Sequence, residues 1–179
     1  VSAVLPVCAA ENDTAYTVTV PVGTRTTQLT YTVNADDTVE ITDCENDAAG
    51  DLEIPAEIDG KTVTSMGYYS FSYCANLTSV IIPNGVANIG DNAFGNCEKL
   101  ENITIPSSVT NIGDRSFAGC ENLTSVIIPN SVENIGYSAF DGCTSLAEIT
   151  IPSSVTSIGG NAFLDTPWLA ARQEENPLV

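Results

Sequence analysis

Four cysteines recur at a constant interval of 23 residues, and this regular set of thiols is the feature of the sequence most capable of chemistry. They are Cys74, Cys97, Cys120 and Cys143. Such a set could form disulfides, bind a metal, supply a reactive thiolate or line a core. The sequence contains no histidine, which excludes Cys-His and Ser-His-Asp nucleophiles and any His-ligated zinc.

The 23-residue interval also governs the residues around each cysteine. Four segments align without a gap, at 77–99, 100–122, 123–145 and 146–168, and 52–74 is a degenerate first copy. A unit this short cannot bury an apolar face by itself, so the copies must stack as successive coils of a solenoid. The cysteines are therefore one position of a structural repeat.

Each copy predicts the same path for the chain. The L-x-x-V-x-I segment, with Val80 and Ile82 pointing inward, is typical of a short strand that pairs in parallel with its equivalents in neighbouring coils. Pro83 ends that strand. V-x-x-I-G then predicts a second short strand closed by a glycine able to take positive φ, and A-F-x-x-C predicts a tight turn of 3-10 type. The inward positions of this copy are Leu77, Val80, Ile82, Val86, Ile89, Phe94 and Cys97.

This geometry argues against chemistry at the cysteines. Equivalent positions on successive coils have parallel Cβ directions and lie about 4.8 Å or more apart. A disulfide needs Cβ atoms about 3.5–4.5 Å apart that point toward each other, and zinc needs ligands that converge on one point. We therefore expect the four cysteines to be buried free thiols that serve as small apolar core residues.

The repeat pattern L-x-x-I-x-I-P-x-x-V-x-x-I-G-x-x-A-F-x-x-C resembles the BspA-type leucine-rich repeat of bacterial and protist surface proteins. The resemblance implies a leucine-rich-repeat solenoid of the α/β horseshoe class, with mostly short parallel β-strands and 3-10 turns. It also implies a curved right-handed array, an extracellular or cell-surface location, and a role in adhesion and protein–protein contact.

The two ends of the chain depart from the repeat, as the ends of a solenoid must in order to cover its core. Residues 1–48 contain strand patterns and resemble the N-terminal β-hairpin cap of many such arrays, with an immunoglobulin-like domain as the alternative. Residues 49–168 are assigned to five repeats, and residues 169–179 to a C-terminal capping segment that we expect to continue in the natural protein. Cys8 and Cys44 either form a disulfide in an oxidising setting or remain free thiols.

The charge balance narrows the range of partners. The chain has 23 acidic residues against 5 basic ones, for a formal net charge of -18, whereas phosphate backbones and anionic lipids require clustered cations. We therefore expect no nucleic-acid partner. The sequence has no apolar run of about 18 residues, so we expect no membrane insertion, and we expect a monomer.

Two further features of the sequence are candidate sites. The acidic run 43–53 suggests a calcium loop, but its glycine and its twelfth residue fall at the wrong positions, so a solvated turn is favoured. Tyr68, Tyr69 and Tyr73 either pack against the N-terminal region or form an interface hot spot. We assign no catalytic residue, no cofactor and no metal site.

The outward positions of the first strand in each copy remain as the candidate partner-binding face. These residues are Ser79, Ile81, Asn102, Thr104, Ser125, Ile127, Glu148 and Thr150. They are small, β-branched and weakly polar, with no aromatic ring to stack on a sugar, which favours protein over glycan contacts. The sequence thus predicts a non-enzymatic extracellular module that binds a surface or matrix protein of a host or neighbouring cell. A structural spacer in a longer surface protein is the alternative, and carbohydrate binding is a weaker one.

Overall fold

The computed structural model describes residues 4–7 and 14–175. Within these ranges the chain forms fifteen short strands and one helix. The strands are β1 (Val4–Val7), β2 (Ala15–Val22), β3 (Arg25–Val33), β4 (Val39–Cys44), β5 (Ala49–Glu53), β6 (Glu57–Ile58), β7 (Lys61–Met66), β8 (Asn76–Ile81), β9 (Asn88–Ile89), β10 (Asn102–Thr104), β11 (Asn111–Ile112), β12 (Ser125–Ile127), β13 (Asn134–Ile135), β14 (Glu148–Thr150) and β15 (Ser157–Ile158). The helix, α1, spans Pro167–Glu175.

Short parallel strands stack into two ladders. The first ladder contains β5, β8, β10, β12 and β14, and the second contains β4, β7, β9, β11, β13 and β15. Each of the five coils contributes one strand to each ladder, and β4, which precedes the first coil, is the sixth strand of the second ladder. Equivalent residues pair in register, so that Ile103 lies opposite Val80 and Ile112 lies opposite Ile89. The predicted solenoid of short parallel strands is confirmed.

The first ladder is interrupted between β10 and β12. Backbone hydrogen bonds join β5 to β8, β8 to β10, and β12 to β14, but β10 and β12 are not paired. A cavity of about 350 Å³ opens at this point, lined by residues 102–105, Ser125 and Ile127. The second ladder continues across the same two coils through β11 and β13, so it keeps the coils together where the first ladder does not.

Inward side chains form one continuous core along the solenoid. Leu77, Val80, Val86 and Ile89 are each 0% exposed. Phenylalanines at the equivalent turn position stack from coil to coil, with ring centroids 4.9–5.5 Å apart and planes within 11° of parallel. They are Phe71, Phe94, Phe117, Phe140 and Phe163. Because each buried side chain of this size contributes about 1.5–3 kcal/mol, the stacking of many equivalent residues stabilises the array.

The glycine that follows a second-ladder strand, such as Gly90, is required because no side chain fits there, and not because of its φ angle. The expectation of positive φ at this glycine is wrong, since the left-handed residues lie two positions later, at Asn92 and Arg115 among others. A Cβ atom at Gly90 would lie 2.7 Å from the Met66 carbonyl oxygen of the preceding coil. The backbones of adjacent coils therefore approach too closely at this position for any side chain.

An N-terminal hairpin joins the two ladders. Its strands β2 and β3 pair antiparallel along their length. At one edge β2 pairs with β5, where Val22 lies opposite Leu52, and at the other edge β3 pairs with β4 of the second ladder. The assignment of residues 1–48 as a separate capping unit stays a prediction.

Helix α1 follows the last coil. Thr166 Oγ1 accepts a hydrogen bond from the Leu169 N–H at 3.2 Å, which caps the helix N-terminus. Trp168 packs on Phe163 with ring centroids 4.8 Å apart, and its Nε1–H donates to the Ile149 carbonyl at 3.0 Å. Trp168 therefore covers part of the last core layer, while the assignment of residues 169–179 as a cap stays a prediction.

Two serines occupy a core position that other coils fill with alanine. Ser70 and Ser116 are 0% exposed and their hydroxyls have no hydrogen-bond partner among the residues that the structure describes, whereas Ala93 and Ala139 fill the equivalent positions. Ser116→Ala should raise the free energy of unfolding by about 1 kcal/mol, because it removes a desolvated hydroxyl and leaves the packing unchanged. Urea denaturation followed by circular dichroism would measure the change.

Ser72→Ala is the matched control for this substitution. The Ser72 hydroxyl is also buried, but it donates to the Gly95 carbonyl at 3.1 Å, so its removal should lower stability by about 1 kcal/mol. A Ser116→Ala protein that is less stable than the parent would show that the Ser116 hydroxyl has a partner.

Candidate functional site

The repeat cysteines occupy equivalent positions in successive coils, a set called here the cysteine column, and they lie in the interior of the solenoid. Cys74, Cys97, Cys120 and Cys143 are each 0% exposed. Three of the thiols donate to the carbonyl of the phenylalanine one coil earlier: Cys97 to Phe71 at 3.1 Å, Cys120 to Phe94 at 3.2 Å, and Cys143 to Phe117 at 3.1 Å. The sequence did not predict these bonds, because the pattern gives the order of the coils but not which backbone group each thiol reaches.

Burial also controls the protonation of these thiols. It raises the pKa of Cys97 and of Cys143 to about 12, and it raises the pKa of Cys120 well above the usual value for a thiol. The thiolate is the form of cysteine that attacks electrophiles and binds metals. At neutral pH these three cysteines therefore hold the unreactive, protonated form.

Cys74 differs from the others because its neighbour is Cys44 of β4. The Cys74 and Cys44 sulfurs lie 3.8 Å and 3.7 Å from the same Glu45 carbonyl oxygen. A hydrogen bond with the Cys44 thiol and then burial raise the pKa of Cys74. Cys8 lies outside the described residues, so a disulfide between Cys8 and Cys44 stays a prediction.

The predicted partner-binding residues lie in one strip on the outer face of the first ladder, called here the first-ladder strip. Its members are Ser79 and Ile81 on β8, Asn102 and Thr104 on β10, Ser125 and Ile127 on β12, and Glu148 and Thr150 on β14. Ser79 is half-buried and the other seven are exposed. Ile81 is 45% exposed and Ile127 is 80% exposed, so the strip presents two isoleucines to solvent.

Cavities open along the first-ladder strip beside each of its two isoleucines. One, of about 390 Å³, is lined by Pro21, Asp51, Glu53 and Ile81 among others. The second is the 350 Å³ cavity at the interruption of the ladder, beside Ile127. Sequence reasoning missed Asp51 and Glu53 as neighbours of the strip, because the degenerate first copy does not reveal the register of β5 against β8.

Three tyrosines on the turn after β7 form an exposed cluster. Tyr68 is 64% exposed, Tyr69 42% and Tyr73 60%, so the interpretation that they pack against the N-terminal region is wrong. The Tyr68 and Tyr69 rings contact each other edge to face, with centroids 4.1 Å apart. Tyr69 and Tyr73 have φ angles of 58° and 61°, a left-handed conformation that costs a residue with a side chain about 1–2 kcal/mol.

The acidic run 43–53 passes from β4 through a turn into β5. In the described part of the chain, no three or more histidine, cysteine, aspartate or glutamate side chains are grouped so that they could hold a metal ion. Among the same residues, no helix is both long and apolar enough to cross a membrane.

Short coils that stack through two parallel ladders, with one column each of phenylalanine, cysteine and glycine, define a leucine-rich-repeat solenoid. The chain belongs to the BspA type leucine-rich repeat family, whose pattern matches residues 56–171 in six copies. The predicted family is therefore confirmed. Extended surfaces of such solenoids are typically used for protein interaction.

Three solved structures of bacterial proteins resemble the chain. The T. pallidum Leucine Rich Repeat protein is 32% identical with a TM-score of 0.72, over 75% of this chain and 63% of its own. A leucine-rich repeat protein from Bacteroides ovatus is 40% identical with a TM-score of 0.68, over 75% of this chain and 37% of its own. A leucine rich cell surface protein from Faecalibacterium prausnitzii is 30% identical with a TM-score of 0.56, over 83% of this chain and 46% of its own.

The chain thus spans less than two-thirds of the length of each of these three proteins. No curated protein matches it.

The buried cysteine column should resist thiol reagents in the folded protein. At about pH 8, iodoacetamide should label Cys97, Cys120 and Cys143 on the order of 100-fold more slowly in native buffer than in guanidinium chloride, because reaction requires an exposed thiolate. Peptide mass spectrometry would follow each site separately. A Ser125→Cys variant supplies an exposed control thiol that should react quickly, and equally fast reaction at any of the three native sites would disprove their protection.

The raised thiol pKa values also predict a loss of stability at alkaline pH. In the unfolded chain a thiol titrates near pH 8.5, whereas Cys97 and Cys143 titrate at about 12 in the folded protein. Between these values the folded state holds protons that the unfolded state has released, so the free energy of unfolding should fall as pH rises, by about 1.4 kcal/mol per thiol per pH unit.

A Cys97→Ala/Cys143→Ala variant isolates this contribution. Its free energy of unfolding, measured by urea denaturation from about pH 8 to pH 10.5, should fall less steeply than that of the parent. Tyr31, whose pKa is raised by burial and by Asp59, is present in both proteins and does not affect the difference. Equal slopes for parent and variant would mean that these thiols do not titrate as proposed.

Proposed function

We propose that the chain is a non-enzymatic extracellular module of a bacterial surface or secreted protein, and that it binds a protein partner through the first-ladder strip. The observation that carries the proposal is the exposure of Ile81 and Ile127, at 45% and 80%. Single exposed isoleucines are ordinary on protein surfaces. These two, however, lie on the ladder face that solenoids commonly use for recognition, and each lies beside a cavity.

The chemistry of the strip suits a protein partner. Along the solenoid, Ile81, Thr104, Ile127 and Thr150 alternate apolar and polar side chains on neighbouring strands. Protein interfaces combine a few apolar anchors with surrounding groups that form hydrogen bonds. Small side chains between the anchors allow a partner backbone to approach closely. Adhesion to a host or neighbouring cell is a function that this arrangement supports.

The proposed location rests on the relatives. The protein from Faecalibacterium prausnitzii, 30% identical to this chain, is a leucine rich cell surface protein. A location outside the cell also agrees with a partner that belongs to the matrix or to another cell.

A pair of substitutions on the strip tests this function. Ile81→Asp/Ile127→Asp should weaken binding to immobilised extracellular-matrix proteins such as collagen, fibronectin and laminin by about tenfold or more, since it places a charge at each apolar anchor. Surface plasmon resonance would measure the affinity, and circular dichroism would show that the variant is folded.

The control is Asn88→Asp/Asn134→Asp, which adds the same charge at exposed positions on β9 and β13 of the second ladder. It should bind as the parent does. Equal weakening by both variants would reject the first-ladder strip as the binding face. Absence of binding by the parent across the matrix panel would favour a structural spacer, and glycan-array signals would favour carbohydrate binding.

A further inference from the structure

We propose that the tyrosine cluster of Tyr68, Tyr69 and Tyr73 is a second interaction surface, and that it binds a basic segment of a partner protein through cation–π contacts. The cluster lies on the turn that follows β7 and shares no residue with the first-ladder strip. The proposal therefore goes beyond the function proposed above and does not depend on it.

Stability does not explain these tyrosines. Their rings are 42–64% exposed, and two of them hold a left-handed backbone that disfavours bulky residues. In the other coils asparagine, aspartate and glycine, which tolerate this conformation, predominate at these two positions. The residues are Asn92, Arg115, Ser138 and Asn161 at the position of Tyr69, and Asn96, Gly119, Gly142 and Asp165 at the position of Tyr73. An unfavourable conformation at an exposed position points to a function for the side chain.

The same column shows what a tyrosine here can bind. Tyr137 occupies the position of Tyr68 three coils later, and the guanidinium of Arg115 lies over its ring, 5.2 Å from the centroid. In residues 14–175, the arginines that stack on an aromatic ring are Arg115, on Tyr137, and Arg172, on Trp168. The rings of the tyrosine cluster are therefore open to a cation from another molecule.

The charges around the cluster favour a basic partner. Tyr69 N–H donates to the Asp91 carbonyl at 3.1 Å, which places the exposed Asp91 next to the cluster on one side. On the other side, Ile41 of β4 pairs with Met66, which places the exposed Asp43 on the strand next to the cluster, whereas the Glu45 carboxylate accepts a hydrogen bond from the Gln28 N–H of β3. With a net charge of -18 for the whole chain, the protein attracts a segment rich in arginine or lysine and repels an acidic one.

A binding measurement with a defined peptide tests the proposal. The probe is a fluorescein-labelled peptide of alternating arginine and glycine, followed by fluorescence anisotropy at physiological salt. Each exposed cation–π contact contributes roughly two- to fivefold in affinity. Tyr68→Ala/Tyr69→Asn/Tyr73→Asn should therefore weaken binding of this peptide by about tenfold or more.

The variant is matched in charge to the parent. Tyrosine is neutral at pH 7, so the general attraction between an acidic protein and a basic peptide is unchanged in the variant. Any loss of affinity for the peptide therefore measures the contribution of the aromatic rings. Asn at positions 69 and 73 reproduces Asn92 and Asn96 of the next coil, so the fold should persist. An Ile81→Asn/Ile127→Asn control on the first-ladder strip should bind the peptide within twofold of the parent.

Affinity within twofold of the parent for the tyrosine variant would overturn the proposal. So would a loss in the Ile81→Asn/Ile127→Asn control equal to that in the tyrosine variant. NMR titration of the parent with the same peptide provides a test that needs no variant. Amide shifts that are largest at residues 67–75 would support the proposal, and shifts that are largest elsewhere would overturn it.

Discussion

The backbone hydrogen bonds between equivalent turn residues of successive coils are the interaction on which the rest of the structure depends. Phe71 N–H donates to the Ala93 carbonyl at 2.7 Å, and every later phenylalanine repeats this bond to the next coil until Phe140 donates to Ala162 at 2.7 Å. These bonds set one spacing for every column of side chains. The phenylalanine rings stack about 5 Å apart as a consequence, because the backbone places them there.

That spacing separates the residues that hold the fold from those that are available for function. The backbone bonds between coils form whatever side chains point outward, so an outward column can change from coil to coil without loss of the stack. Tyr68, Asp91, Asp114 and Tyr137 occupy one such column, which holds two aromatic and two acidic side chains. By contrast, Gly90 belongs to a column in which the approach of backbones leaves no room for any side chain. Columns that vary between coils are therefore free to serve a function without loss of the fold, whereas columns such as that of Gly90 are not.

The sequence predicted those features that follow from the period alone. Both ladders, the phenylalanine column and the position of the cysteines follow from the repeat, since equivalent residues must occupy equivalent places. It failed where a detail depends on how closely the coils approach or on local backbone angles. The glycine was assigned to positive φ when its role is spatial. For Tyr68 the sequence left exposure and packing against the N-terminal region as alternatives, because the path of the N-terminal strands relative to that turn is not encoded in the repeat. The sequence also gives no sign of the interruption between β10 and β12, because the residues of these two strands match their equivalents in other copies.

The end of the cysteine column shows how the side chain at this position connects the last coil to helix α1. A carbonyl oxygen can accept two hydrogen bonds, and the Phe71 carbonyl accepts one from the Cys74 N–H and one from the Cys97 thiol of the next coil. Within residues 14–175, helix α1 and not another coil follows Phe163, so no thiol of a next coil donates to its carbonyl there. At this coil the column changes to Thr166, whose hydroxyl donates to that carbonyl at 2.7 Å while its oxygen caps α1. The change from cysteine to threonine therefore gives the Phe163 carbonyl a side-chain hydrogen bond and begins the helix with the same atom. In exchange, the Phe140 carbonyl, which a cysteine at position 166 would reach by the pattern of the other coils, keeps its bond from the Cys143 N–H.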